Sequence, residues 1–438
     1  MHDIVVVGAG VAGLTAGALL SRAGSRVTVL EREPSVGGLA RTFTYGGYRF
    51  DIGPHRFHTD DAAVLAFIRQ TLAGNSLEID RRSGVWMFGR YHDWPLRSSS
   101  MFRLPLRVLL GAAGDLVRRR HADTTGFRDY ITAMYGRTIY ELFFAPYTRK
   151  FIVEEPERIH ADWAISGVDR AVIDKRVRMN TLSQVIKGAF LPRPVRTKFI
   201  YPAAGGIGAF AEGLRALIEG CGGRVLTGHA VTGVRTEGSL VVAVRTKAGA
   251  GFRADLVIWT APVTGLWQML DRGPTSLSFV STLCYNYEVG GSPRIPYQWC
   301  YFGQEDIVYS RVSIPSFFSP GTAPDGGYGL CVEVTCNEGD DRWEHPERLT
   351  AAIEAQLFST GVLRTGDGLS APHIEHIRDT YPVYRLDYQE EMVRVRQGLG
   401  SIRNLRLLGR SGTYWYNNMD HSVRMALDLA GEIAQDVG

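Results

Sequence analysis

The residues Leu407-Leu-Gly-Arg-Ser-Gly-Thr-Tyr-Trp-Tyr-Asn-Asn-Met-Asp-His-Ser422 concentrate more chemistry than an ordinary surface loop does. Gly409 and Gly412 leave backbone room for a flat ring. Arg410 offers a fixed fork of donors to an anion or a ring carbonyl. Tyr414 and Tyr416, two apart, share one face of an extended segment. Asn418 and Met419 lead into a helix whose first amides would face an electron-rich edge. A second cluster lies in Asp51-Ile-Gly-Pro-His-Arg-Phe-His-Thr-Asp60. There His55 or His58 could sit against the same ring and tune it, hold a hydroxyl, or serve only as a hydrogen-bonded structural residue.

The nature of the ring is indicated by the first forty residues. Ile4-Val-Val-Val-Gly-Ala-Gly-Val-Ala-Gly-Leu14 is a β-branched strand, a GxGxxG turn and the start of a helix, and Val27-Thr-Val-Leu30 is the next strand. Gly8 permits the tight turn and Gly10 lets backbone approach a pyrophosphate. Gly13 lets helix and strand pack closely, and the helix N-terminus faces the negative charge. Glu31 closes the second strand 18 residues after Gly13 and would accept ribose hydroxyls. A second pair, Gly37-Gly38, comes directly after the acid. NAD enzymes rarely need it, whereas FAD enzymes of the two-dinucleotide layout bring further amides to the pyrophosphate this way. The expected cofactor is FAD.

From here the chain resembles the UDP-galactopyranose mutase family, flavoenzymes related to amine oxidases and protoporphyrinogen oxidase. The string GPHxFHTD from Gly53 to Asp60 carries the likeness first. Trp94-Pro-Leu96, the stretch Tyr140 to Lys150, Tyr201-Pro-Ala-Ala-Gly-Gly-Ile-Gly208, Tyr309-Ser-Arg-Val312 and Tyr381-Pro-Val-Tyr384 continue it in order. Gly409-Arg-x-Gly-Thr-Tyr-x-Tyr-x-x-Met-Asp420 is similar to the loop that closes over the flavin in that family. The likeness spans nearly the whole chain.

The resemblance implies FAD held by Gly8, Gly10, Gly13, Glu31, Gly37, Gly38, His55, Val231, Gly409, Asn418 and Met419. It implies catalytic roles for Arg311, Arg410, His58, Tyr384 and Tyr416, and a substrate path along Phe144, Tyr147, Tyr309 and Tyr414. In such mutases the flavin works reduced, with NAD(P)H or another reductant as external donor. Its N5 bonds to the anomeric carbon of a nucleotide sugar, and pyranose and furanose forms interconvert without net redox change. Two departures stand out. Ile152, after Phe151, replaces a tryptophan of the family, and Arg170 matches a family arginine only with a shift. Both positions belong to nucleotide and phosphate contacts, so the sugar nucleotide need not be UDP-galactose. The alternative is an FAD-dependent oxidase or dehydrogenase of the amine oxidase or protoporphyrinogen oxidase type, acting on an anionic small molecule. A non-catalytic FAD-binding scaffold would have little reason to keep so many polar aromatics in one loop.

Positioning these residues requires an α/β architecture of several lobes. The chain has 438 residues, 45% hydrophobic and 21% charged, with a net charge of +4. That charge suits an anionic small molecule and is too weak to argue for nucleic acid. Residues 1–60, 200–270 and 400–438 carry strand–helix patterns and are expected to assemble one Rossmann-like FAD domain from separated pieces. Residues 61–199 read as a helical lobe, with helices near 61–73, 104–121, 126–136 and 137–150. Residues 271–399 alternate apolar and polar positions, as in Ser278 to Tyr287, and read as an antiparallel sheet. Basic clusters at Arg118 to His121 and Lys175 to Arg178 read as solvated helix faces. The five cysteines form no CxxC pair and the histidines no HxxxH, so no metal site is expected, and the thiols read as reduced and buried in a cytoplasmic protein. No run of 18 apolar residues predicts a membrane span. A homodimer is compatible with the pattern.

Overall fold

The computed structural model describes residues 3–94, 105–117, 125–168 and 198–437. Its fold is α/β, as the patterning predicts. A five-stranded parallel sheet runs in the order Leu405–Leu407, Leu256–Trp259, Asp3–Val7, Arg26–Leu30 and Arg224–Leu226. Strands buried on both faces need near-continuous apolar sequence, and Ile4-Val-Val-Val7 supplies it. Ile4, Val6, Val27 and Val29 pack under the helices Val11–Arg22, Gly208–Gly220 and Met419–Val437. Val5, Val7, Leu30 and Trp259 face a second core that includes Val241 and Val244 of a small antiparallel sheet. The turn from first strand to first helix is sterically demanding. Gly8 has φ +102°, and a Cβ on Gly13 would stand 2.1 Å from the Gly8 carbonyl oxygen.

The second layer is a seven-stranded sheet ordered His373–Pro382, Phe279–Gly290, Gly327–Cys336, Arg311–Ser313, Trp299–Phe302, Ser83–Met87 and Arg90–Asp93. All its pairings are antiparallel except that between Trp299–Phe302 and Ser83–Met87. One face buries Leu283, Tyr285, Val312, Val332 and Val334 against the helix Thr350–Ser359. By the two-residue period of strands, the opposite face carries Cys284, Cys331, Glu333, Arg311 and Tyr301. Cys331 and Cys336 thus fall in different cores. Cys221 is exposed, unlike the other four thiols, because it lies at the end of a surface helix.

The described residues of the stretch 61–199 include strands as well as helices. They lend two strands to the edge of the large sheet, and Leu77–Asp80 pairs with Lys198–Tyr201. Helices do form at Ala62–Leu72, Leu106–Val117 and Phe127–Tyr135. The expected helix 137–150 is present as a continuous helical run, α-helical at Arg137–Ile139, π-helical at Tyr140–Phe144 and α-helical again at Ala145–Ile152. Pro146 has no N–H for the preceding turn, and the ladder widens just before it. Arg118 to His121, Lys175 to Arg178 and Arg170 lie outside the described residues. Among those described, no helix is long and apolar enough to cross a membrane.

The packing at Gly13 predicts that Gly13→Ala destabilises the protein by about 1–3 kcal/mol, because the obstacle is backbone. Thermal unfolding checks it, and an unchanged midpoint would show that the turn relaxes freely.

Candidate active site

A cleft of about 770 Å³ opens along the ends of the parallel strands, lined by Gly8, Gly10, Glu31, Gly37, Gly38, Val231 and Gly409 among others. The two glycine turns meet back to back. Gly37 donates its N–H to Ala9 O, and a Cβ on Gly38 would lie 3.0 Å from Gly10 Cα. Gly37 and Gly38 also have φ of +112° and +56°. Bulky side chains are excluded here by approach and by backbone shape together. Gly13 does not reach the cleft; it packs behind it. Glu31 is buried, accepting Ala9 N–H at 2.7 Å and Glu33 N–H at 3.0 Å, which leaves lone pairs for ribose hydroxyls. Arg41, also buried, pairs with Glu33 at 3.1 Å while its Nε lacks a hydrogen-bond partner. A glycine cradle, a ribose acid and an unpartnered cationic donor on one wall fit an extended dinucleotide.

His55, Arg410, Asn418 and Met419 line the other end. Arg410 spends its donors on carbonyls: Nε and Nη2 on Asn417 O at 3.2 and 2.5 Å, Nη1 on Thr380 O at 3.1 Å. Its charge is therefore held in place without a carboxylate, over the rings of Tyr416 (4.8 Å) and Tyr381 (5.4 Å). Beyond it lies a packed aromatic cluster, called the chamber below. Trp163 stacks on Tyr416 at 5.1 Å, Phe151 on Tyr147 at 5.3 Å, and Tyr147 meets Tyr301 edge-on at 5.7 Å. Arg311, buried, donates from Nε and Nη2 to the two oxygens of Glu333 at 2.6 and 2.5 Å, and from Nη2 to Tyr381 Oη at 3.2 Å. The edge of its fork is thus committed to Glu333, and Nη1 is what remains for a ligand. Burial raises the phenol of Tyr147 well above its ordinary value and that of Tyr381 to about 12. Burial, then the charges of Arg410, Arg311 and Arg56, pushes His55 down to about 3. Its Nδ1 has no partner within the protein.

Five expected site residues stand elsewhere. His58 is half-exposed, with Nδ1 3.3 Å from Lys198 O and its ring edge-on to Phe199, because the backbone bridge Phe57–Ile200 turns it from the cleft. Phe144 packs on Tyr135 at 5.1 Å inside the helical lobe, whereas Phe143 faces Trp94 and Tyr147. Tyr309 lies under the opposite face of the large sheet, with its hydroxyl 3.2 Å from Thr360. Tyr414, at φ +53°, anchors through its hydroxyl to Ser278 O and Val383 O. Tyr384 is a buried pillar whose hydroxyl accepts Tyr416 N–H at 2.7 Å. These two tyrosines hold the loop rather than line the path.

Sequence reasoning passed over Arg41, Arg56, Trp163, Tyr301 and Glu333. Glu333 had a readable signal, as a lone acid within the apolar run Leu330 to Val334. Ile152 is 1% exposed, fully in the core.

The fold has counterparts among known proteins. The profile of the family described as flavin containing amine oxidoreductase matches residues 11–357. Crystalline reduced UDP-galactopyranose mutase superposes with a TM-score of 0.85 at 20% identity, covering 99% of this chain and 94% of that one. A protein described as a protoporphyrinogen oxidase from Exiguobacterium sp. 255-15 gives 0.76 at 17% identity, with 99% of both chains covered. At these identities the likeness establishes fold alone. All-trans-retinol 13,14-reductase of Macaca fascicularis is 38% identical over 199 residues, 44% of this chain and 25% of that protein. The chain spans no more than a quarter of the first curated relatives it matches.

Both ends of the cleft can be probed by substitution. A Cβ at Gly10 meets nothing of the protein closer than 4.0 Å, so Gly10→Val should fold yet purify colourless, its methyls filling the pyrophosphate space. A yellow Gly10→Val protein would sink the cradle. For His55 the folded pKa lies below the ordinary 6.5, so the unfolded chain takes up its proton first on acidification. Stability at neutral pH should therefore fall as pH drops from about 6.5 towards about 3. His55→Gln should flatten that slope in denaturant titrations at pH 7 and pH 5; an unaltered slope would assign it to other groups.

Proposed function

Since the chain belongs to the flavin-containing amine oxidoreductase family and takes FAD as its cofactor, we propose that it is a flavin-dependent isomerase interconverting pyranose and furanose forms of an anionic sugar, a nucleotide sugar first among them. The observation that carries this reading is the chamber's inventory of charge and protons. Arg410 and Arg311 present cations, the phenols stay protonated, and His55 stays neutral across the physiological range. Glu333 is tied up by Arg311. Such a site suits a substrate that departs from an anionic leaving group and needs little acid–base help.

The chain's own residues divide the task. Arg410 and the free Nη1 of Arg311 stabilise negative charge developing on the leaving group, in surroundings where aromatic walls keep water out and electrostatic interactions strong. Tyr147, Tyr301 and Tyr416 supply faces and hydroxyls for a sugar. When bound and reduced, FAD supplies a nitrogen nucleophile at the anomeric carbon without net redox change. With Ile152 in the core and Trp163 stacked on Tyr416, the nucleotide contacts differ from those of the mutases, so the reading names an anionic sugar rather than UDP-galactose. A second reading, net redox chemistry on an anionic small molecule, draws support from the family's description as amine oxidoreductases and from the retinol reductase among its relatives.

Anaerobic incubation of dithionite-reduced protein with a panel of nucleotide sugars separates the two. Isomerase activity predicts a product of unchanged mass, formed only by reduced enzyme and without stoichiometric consumption of reductant. Hydrogen peroxide from oxidised enzyme, with a product lighter by two hydrogens, would transfer the assignment to the redox reading.

A further inference from the structure

The cofactor cleft has walls from distant parts of the chain, and one pair of charges joins two of them. Arg32 follows Glu31 just past the second parallel strand, and Asp379 belongs to the edge strand His373–Pro382 of the large sheet. Both residues line the cleft. Arg32 Nη1 and Nη2 each stand 3.5 Å from the same oxygen of Asp379. Their side chains remain 42% and 28% exposed, so the pair sits at the solvent edge of the cleft and not in its floor.

Asp379 reaches this place by a departure from regular strand geometry. Val280 faces Tyr381 and Thr282 faces Ile377, so Arg378, Asp379 and Thr380 bulge opposite the single residue Ser281. Asp379 takes φ +54°, a left-handed conformation that is costly for a residue with a side chain. The bulge is pinned at Thr380, whose Oγ1 lies 2.9 Å from both Thr282 Oγ1 and Val280 O. Thr380 O also accepts Arg410 Nη1 at 3.1 Å. Bulges re-aim side chains beside functional sites, and this one sets a carboxylate against the opposite wall.

The link is also the loosest in its chain of charges. Arg32 Nε reaches Glu33 at 3.2 Å, Glu33 reaches Arg41 at 3.1 Å, and Glu33 N–H donates to Glu31 at 3.0 Å. Those contacts lie within one wall, whereas the 3.5 Å contact spans two. A partly solvated pair at that separation is weak, so it parts and reforms readily.

We propose that Arg32 and Asp379 form a strap across the cleft that gates the exchange of FAD, parting to let the cofactor enter or leave. The bulge then presents Asp379 again for closure. Both partners belong to the protein, so the strap slows entry and exit alike and leaves affinity nearly unchanged. This rests on the glycine cradle as the FAD site and holds for either reaction considered above.

The test measures cofactor exchange, without turnover. Holoenzyme mixed with excess 5-deaza-FAD reports release through the changing absorbance of the bound flavin. Serial dilution of holoenzyme, followed by flavin fluorescence, gives the dissociation constant. Asp379→Asn keeps the shape and the tolerance for left-handed backbone but loses the charge, and Arg32→Gln leaves the acid in place. Each should speed exchange about two- to fivefold, the scale of an exposed ion pair, with the dissociation constant unchanged. The double variant should exchange no faster than either single one, since the same pair is lost in all three. Added salt should quicken exchange in the wild type and not in the double variant. Wild-type exchange rates in both single variants would overturn the strap. So would a loss of affinity that matches the faster release, which would make these side chains direct cofactor ligands, or effects that multiply in the double variant.

Discussion

Arg311 and Glu333 face each other across adjacent strands of the large sheet, both nearly shut off from water, and share two short hydrogen bonds. Removing either partner from such a pair typically costs about 3–5 kcal/mol, because the other is left charged in an apolar interior. Three otherwise separate parts of the chain converge on this pair. Gly53 of the histidine turn lies so close that a Cβ there would stand 2.6 Å from Glu333 Oε1. Tyr381 receives a hydrogen bond from Arg311 and meets Tyr416 of the closing loop edge-on. Phe151 of the helical lobe lies under the Arg311 guanidinium at 5.9 Å. The pair is where cofactor loop, sheet and helical lobe are registered against one another.

Its electrical effect is equally consequential. Beside the pair, Arg410 is a charge secured by the carbonyls of Asn417 and Thr380, and Arg56 one set against the rings of Phe199 and Trp299. Together with burial, the charges of Arg410, Arg311 and Arg56 keep the imidazole of His55 unprotonated.

The cofactor half was legible because its rules are local. A β-branched strand, glycines spaced for a turn and an acid at the end of the next strand need no distant partner to be understood. The chamber was less so, for reasons visible in single residues. Tyr309 and Tyr301 both sit near strands of one sheet, and nothing in alternation says which face is the site. Phe143 and Phe144 are exchanged because a π-helical turn adds a residue to the cycle and rotates the side chains beyond it. His58 is turned away by a backbone bridge to Ile200, a contact that exists only after folding.

The order of the parallel sheet reaches into the protein's synthesis. Asp3–Val7 is made about 250 residues before Leu256–Trp259, the strand that flanks it and that in turn needs Leu405–Leu407 at the edge. Pairings this distant in sequence form slowly, because long loops must close before any contact rewards them. A nascent chain therefore carries an incomplete, strongly apolar sheet until Leu405–Leu407 emerges, and its yield in a cell will depend on how well chaperones shelter that exposed edge.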